Sequence, residues 1–111
     1  MQSENLNDLA TAQLAAAAQS AHGRSAHGLT GGHDHTLRQI LMALTAGSAL
    51  AEHESPGEAT LQVITGTIRL TAGDQSWQGS AGDHLVIPPL RHDVTAIEDA
   101  AFLLTVAVGT R

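Results

Sequence analysis

Histidine is the residue type in this sequence best suited to metal or proton chemistry near neutral pH. The 111 residues include seven His. There is no Cys, which excludes disulfides, iron–sulfur clusters, zinc–thiolate sites and cysteine nucleophiles. Lys and Tyr are also absent, which excludes a Schiff-base lysine and a tyrosine acid. Imidazole is therefore the one plentiful side chain that can carry metal or proton chemistry near neutral pH.

One pair of His residues has the spacing of metal ligands. His33 and His35 flank Asp34, and in an extended segment both rings would project to the same side. The alternative is a polar pair on a solvated loop, because His residues in loops are common. The same segment carries His22 and His27, which we expect to be exposed.

The elements that must position these residues begin with a helix. Residues 5–21 are rich in Ala, the best helix former, and Asn5 is a suitable N-cap. Residues 22–36 contain Gly, Ser and His without apolar periodicity, which predicts a connector. From Leu37 onward, short apolar runs alternate with turn residues. These runs predict strands at 37–44, 59–64, 67–72, 84–89, 92–97 and 101–108, with a hairpin turn at 72–75.

Two segments resemble the motifs of the cupin superfamily. Residues 47–66 read GSALAEHESPGEATLQVITG, in which His53 occupies the first His position of the first cupin motif. Ser55 stands at the second His position and Ala59 at the Glu position. Residues 82–96 read GDHLVIPPLRHDVTA, which matches the second motif at its Gly and Pro, with His92 one residue early.

The resemblance implies an all-β fold, a cupin-type jelly-roll barrel over residues 37–111, preceded by residues 1–36 as N-terminal helix and connector. It also implies a barrel interior in which three His and one carboxylate bind iron, manganese, nickel or zinc. Only His53 and His92 remain of those four ligands. The small residues Ser55 and Ala59 leave room for an organic ligand or water.

The ligand-binding candidates are therefore His53, His92 and the neighbouring Arg91. The two imidazoles could instead satisfy each other or a buried water. Arg91 could hold a carboxylate of a ligand, or form a salt bridge with Asp93 or another surface acid. Glu52, Glu54 and Glu58 form an acidic cluster around His53, a pattern typical of a solvated loop rim.

Two functions follow from these candidates. The first is a barrel that binds a small molecule, with a regulatory or binding role. The second is a metal-dependent dioxygenase or isomerase, in which His33, His35 or water completes the shell of His53 and His92. A sensor domain that works with a separate DNA-binding chain is also compatible with the resemblance.

Charge and segment composition predict the partners and the location. A net charge of −6 without Lys argues against nucleic-acid binding. No signal peptide and no run of about 20 apolar residues are visible, so we expect a cytoplasmic protein without membrane contact. We also expect a homodimer, because the helix has an apolar stripe and must pack on its own domain or on a second subunit.

Overall fold

The computed structural model describes residues 1–32, 34–54 and 57–108. Within these ranges the chain forms one helix and nine strands in two antiparallel sheets. In chain order the elements are α1 Leu6–Gln19, β1 Arg24–Thr30, β2 Leu37–Leu44, β3 Ala49–His53, β4 Gly57–Thr65, β5 Thr67–Ala72, β6 Gln75–Ser80, β7 His84–Val86, β8 His92–Ala96 and β9 Ala100–Val108. The predicted all-β fold with an N-terminal helix is confirmed.

The two sheets enclose the main apolar core. The five-stranded sheet has the order β1-β2-β9-β4-β7 and the four-stranded sheet the order β3-β8-β5-β6. The predicted alternation is observed: Leu61 and Val63 of β4 are buried and Gln62 between them is exposed. The core is almost entirely aliphatic. Its buried members are Leu44, Ala59, Leu61, Val63, Ile68, Leu70, Ala72, Ile87, Val94, Ala96, Ala100, Phe102 and Val106.

Helix α1 covers the outer face of the five-stranded sheet. Asn5 caps it by accepting a 2.9 Å hydrogen bond from the backbone N–H of Asp8. Ala10 and Ala17 are buried against Leu41 of β2 and Ala101 of β9 in a second apolar cluster. The helix therefore docks on its own domain, so its apolar stripe does not require a second subunit. This helix is not long and apolar enough to cross a membrane.

The predicted connector is wrong over Arg24–Thr30, which forms β1 at the edge of the five-stranded sheet. This strand pairs antiparallel with β2, from Arg24 opposite Leu44 to Gly28 opposite Ile40. The sequence lacks a strand signal here because only Leu29 is a large apolar residue. The strand is stabilised by its neighbours instead, since Leu29 packs under the helix and Ser25 donates a hydrogen bond to the carbonyl oxygen of Gln13.

Candidate ligand-binding site

A β-bulge in β3 places His53 at the mouth of a cavity between the two sheets. Leu50 pairs with Val94 of β8, and His53 pairs with His92. An interval of three residues along β3 is therefore paired with an interval of two residues along β8. In a regular strand, residues three apart face opposite sides. The extra residue allows both Leu50 and His53 to line the same internal cavity.

The cross-strand pair of His53 and His92 brings two imidazoles into contact. Their ring centroids are 4.5 Å apart, and the rings meet edge to face at 61°. His92 is buried, with 3% of its surface exposed, whereas His53 is exposed at the mouth of the cavity. The structure therefore brings together the two His residues that the sequence singled out, one inside the barrel and one at its entrance.

Both rings are held at Nδ1 by a main-chain carbonyl. His53 Nδ1 lies 3.0 Å from the carbonyl oxygen of Ala51, and His92 Nδ1 lies 2.9 Å from that of Leu90. A carbonyl oxygen can only accept, so Nδ1 is the donor and, in a neutral ring, Nε2 is an acceptor. Among the described residues no hydrogen-bond partner reaches either Nε2. The site thus presents two acceptor nitrogens.

The rest of the cavity is apolar. Its volume is about 240 Å³. Apart from the two imidazoles, the side chains around it are aliphatic or aromatic: Met42, Leu50, Ala51, Leu61, Ile87, Val94, Phe102 and Leu104. Such a cavity can hold a small molecule that has an apolar body and one polar group directed at the imidazoles.

The described residues supply too few groups for a closed metal shell. Ala59, at the position of the family's carboxylate ligand, is a buried core residue, and the adjacent Glu58 is exposed on the other face of β4. Ser55 lies outside the described residues. Among those that are described, no three His, Asp or Glu side chains form a group able to hold a metal ion. Two imidazoles alone fall short of the three protein ligands usual in catalytic metal sites.

Arg91 does not line the His53–His92 cavity, because two carboxylates hold it on the outer surface. Its Nε lies 3.4 Å from Glu52 Oε1, and its Nη1 lies 3.3 Å from Glu54 Oε2. It faces a separate surface groove of about 550 Å³ beside β7, together with Glu58. The partner acids are Glu52 and Glu54 rather than Asp93.

The other His residues that the structure describes lie away from the cavity. His35 is exposed, with its Nδ1 3.2 Å from Asp34 Oδ1, and His33 lies outside the described residues. His27 contacts Glu4 at 3.1 Å next to the helix, and His22 and His84 are exposed. None of the described members of this group lines the cavity of His53 and His92.

Sequence reasoning found the two imidazoles but not the apolar wall opposite them. Met42, Phe102 and Leu104 come from β2 and β9, which lie side by side in the five-stranded sheet. The sequence feature that could indicate this wall is the alternation within each strand, which puts Phe102 and Leu104 on one face of β9. The pairing of β2 with β9, which joins these faces into one wall, could not be read from either strand alone.

Comparison with known proteins identifies the fold. No family model matches the sequence, and neither does any curated protein. A cupin-2 domain containing protein from Shewanella frigidimarina matches with a TM-score of 0.71 and 20% identity, over 94% of this chain and 93% of that chain. A salicylate 1,2-dioxygenase from Pseudoaminobacter salicylatoxidans matches with a TM-score of 0.76 and 18% identity, over 90% of this chain and 32% of that chain.

A third solved structure is a transcriptional regulator of the HTH_3 family from Vibrio cholerae. It matches with a TM-score of 0.66 and 20% identity, over 78% of this chain and 52% of that chain. At these identities the three likenesses establish a shared fold, and proteins with this one fold differ in function.

Proposed function

Since this chain has the cupin fold, we propose that it is a small-ligand-binding barrel whose ligand occupies the cavity of His53 and His92. The observation that carries the proposal is the contact of two imidazoles, centroids 4.5 Å apart, at the edge of an otherwise apolar cavity. In its neutral form each ring keeps an acceptor nitrogen, Nε2, to which a ligand with a donor group can bind.

The chemistry of the cavity suggests the class of ligand. An apolar cavity of about 150 Å³ in another protein holds benzene, so a cavity of about 240 Å³ has room for a substituted ring or a short branched chain. With Nδ1 of each ring occupied, Nε2 is free to accept a hydrogen bond. The ligand is therefore a small apolar molecule that carries one hydroxyl or similar donor.

The first prediction compares phenol with toluene, which match in size and differ in the donor. We expect the protein to bind phenol about three- to tenfold more tightly, because a net hydrogen bond contributes about 0.5–1.5 kcal/mol. The substitution His92→Leu should remove this preference and leave the affinity for toluene unchanged. Titrations followed by amide chemical shifts in NMR spectra give both affinities.

The control for this experiment is His84→Leu, the same change at an exposed position on β7 outside the cavity. It should leave the phenol preference intact. If His92→Leu and His53→Leu both keep the preference, the proposed site is wrong.

Metal analysis of protein purified without a His tag is run in parallel, and metal at about one ion per chain would favour the enzyme described next.

The second candidate function is a metal-dependent enzyme of the dioxygenase or isomerase type. It is supported by the likeness in fold to the salicylate 1,2-dioxygenase. His53 and His92 would be its metal ligands, joined by His33 or His35 from the segment that precedes β2 in the sequence. The described residues do not supply the three protein ligands that such a shell needs.

A regulatory role for ligand binding is supported by the likeness to the Vibrio cholerae regulator. The net charge of −6 and the lack of Lys argue against DNA contact by these 111 residues themselves.

We also propose a homodimer that forms through the free edge of β7. Val86 of this strand is 69% exposed and Leu90, beside the same groove, is 45% exposed. Burial of each such side chain contributes about 1.5–3 kcal/mol, and pairing would cover an open sheet edge. Sedimentation equilibrium at micromolar concentration should give a dimer for the wild type and a monomer for Val86→Glu.

Leu37→Glu is the matched control for the dimer, since Leu37 is 50% exposed on β2, away from this groove. It should remain a dimer. A wild-type chain that sediments as a monomer would refute the dimer altogether. Dissociation by both substitutions would show that the edge of β7 is not the specific contact.

A further inference from the structure

Strand β3, whose last residue is His53, lies at an edge of the four-stranded sheet. Within the described residues it pairs with β8 alone. The pair of His53 with His92 joins the last residue of β3 to the first residue of β8, and it comes after the bulge. The main chain therefore fixes the position of His53 from one side only, so side chains next to it can contribute to that position.

A regular pairing of the same two strands would bring a different side chain to the cavity mouth. Counted from the pair of Leu50 with Val94 without the bulge, Glu52 would stand opposite His92. Glu52 would then share a face with Leu50, which lines the cavity. A change of register by one residue moves side chains from one face of a strand to the other. The mouth thus has two alternative occupants, the imidazole of His53 and the carboxylate of Glu52.

Arg91 holds Glu52 away from the cavity. Its Nε donates to Glu52 Oε1 at 3.4 Å, and its Nη1 donates to Glu54 Oε2 at 3.3 Å. Arg91 and Glu54 adjoin the paired imidazoles in the sequence, so their side chains point to the opposite face. One arginine therefore binds the carboxylates on both sides of His53, on the outer surface of the barrel.

We propose that Arg91 is a positioning residue that keeps His53, rather than Glu52, at the mouth of the cavity. The inference rests on the proposed function, because it explains how the second acceptor nitrogen stays available to the ligand. The apolar cavity wall disfavours a carboxylate. This penalty is reduced at the mouth, where His53 is exposed to water. The two ion pairs of Arg91 supply the remaining preference for the observed register.

The first test needs no ligand. In the wild type, nuclear Overhauser effects should connect the ring protons of His53 and His92, whose centroids are 4.5 Å apart. Arg91→Gln removes the charge, and it should weaken these effects while new ones appear between Glu52 and His92. Arg91→Lys keeps the charge and should retain the ring contacts. Ring contacts in Arg91→Gln as strong as those of the wild type would overturn the proposal.

The preference for phenol over toluene is the second readout. Arg91→Gln should lower the ratio of the two affinities about two- to fivefold, because two exposed ion pairs are lost. Glu52→Leu should lower it as well, since leucine favours the apolar cavity and cannot accept a hydrogen bond from Arg91. A loss of affinity for both ligands at an unchanged ratio would indicate a merely structural role for Arg91, and the proposal would fail.

Arg69→Gln is the matched control, because it removes an exposed arginine from β5 of the same sheet, where the side chain donates to Gln78. It should leave the ring contacts and the affinity ratio unchanged, and an effect equal to that of Arg91→Gln would refute the proposal. Amide spectra check that each variant is folded. A wild type without a preference for phenol would refute the proposed function, whereas the ring contacts test Arg91 independently of any ligand.

Discussion

Replacing Gly66 with alanine is expected to lower the free energy of unfolding by about 3 kcal/mol or more. Gly66 joins β4 to β5 with a φ of +80°, a region that side chains rarely adopt. A Cβ there would collide with the carbonyl oxygen of Asp99 and lie 2.7 Å from the Cα of Ala100. Both neighbours are main-chain atoms, one just before β9 and one in its first residue, so they cannot rotate away as a flexible side chain would.

Gly73→Ala separates the collision from the backbone strain. Gly73 forms the two-residue turn between β5 and β6 and has a similar φ of +62°, but a Cβ there would meet no atom within 4 Å. This variant should therefore lose only about 1 kcal/mol. Urea denaturation of both variants measures the difference. Equal losses at the two positions would contradict the close approach of Asp99 and Ala100.

Phe102→Ala is expected to cost about 3–5 kcal/mol, the range typical of removing a buried aromatic ring. Phe102 is 1% exposed, is the only Phe in the chain, and stands between Met42 of β2 and Val63 of β4 in the sheet. It also lines the cavity of His53 and His92. Its removal therefore both weakens the core and enlarges the space next to the imidazoles.

Toluene distinguishes these two effects of Phe102→Ala. Because the vacated space is apolar, an apolar ring should refill it and raise the melting temperature of Phe102→Ala more than that of the wild type. Phe102→Leu, which keeps most of the volume, should lose less than about 1.5 kcal/mol and respond like the wild type. If Phe102→Ala gains nothing extra from toluene, the ring does not form part of the cavity wall.

The strands that could be predicted from the sequence are those whose own residues carry the signal. In TIRLTA, Ile68 and Leu70 alternate with polar residues, and β5 spans that segment without any shift. The strand β1 escaped prediction because its burial depends on the helix and on β2 rather than on its own apolar residues. The residue pattern within one segment does not show which distant segments will pack against it.

In the candidate site, too, some features could be predicted from one segment and others depend on pairing between segments. The pairing of His53 with His92 could be inferred from the two motifs, and both rings line one cavity. The bulge that orients His53 has no visible signature in ALAEH, because it is a property of the pairing with β8.

The position of β9 at the centre of its sheet determines the order in which the barrel can fold. This strand pairs with β2 on one side and β4 on the other, so β1 and β2 are joined to β4 and β7 only through it. Leu37 is paired with Ala107, a partner 70 residues later in the chain. Before residues 100–108 leave the ribosome, two half-sheets have unpaired edges where β9 will insert. Closure of such distant contacts is slow, so we expect folding in milliseconds to seconds and only after synthesis of the last strand.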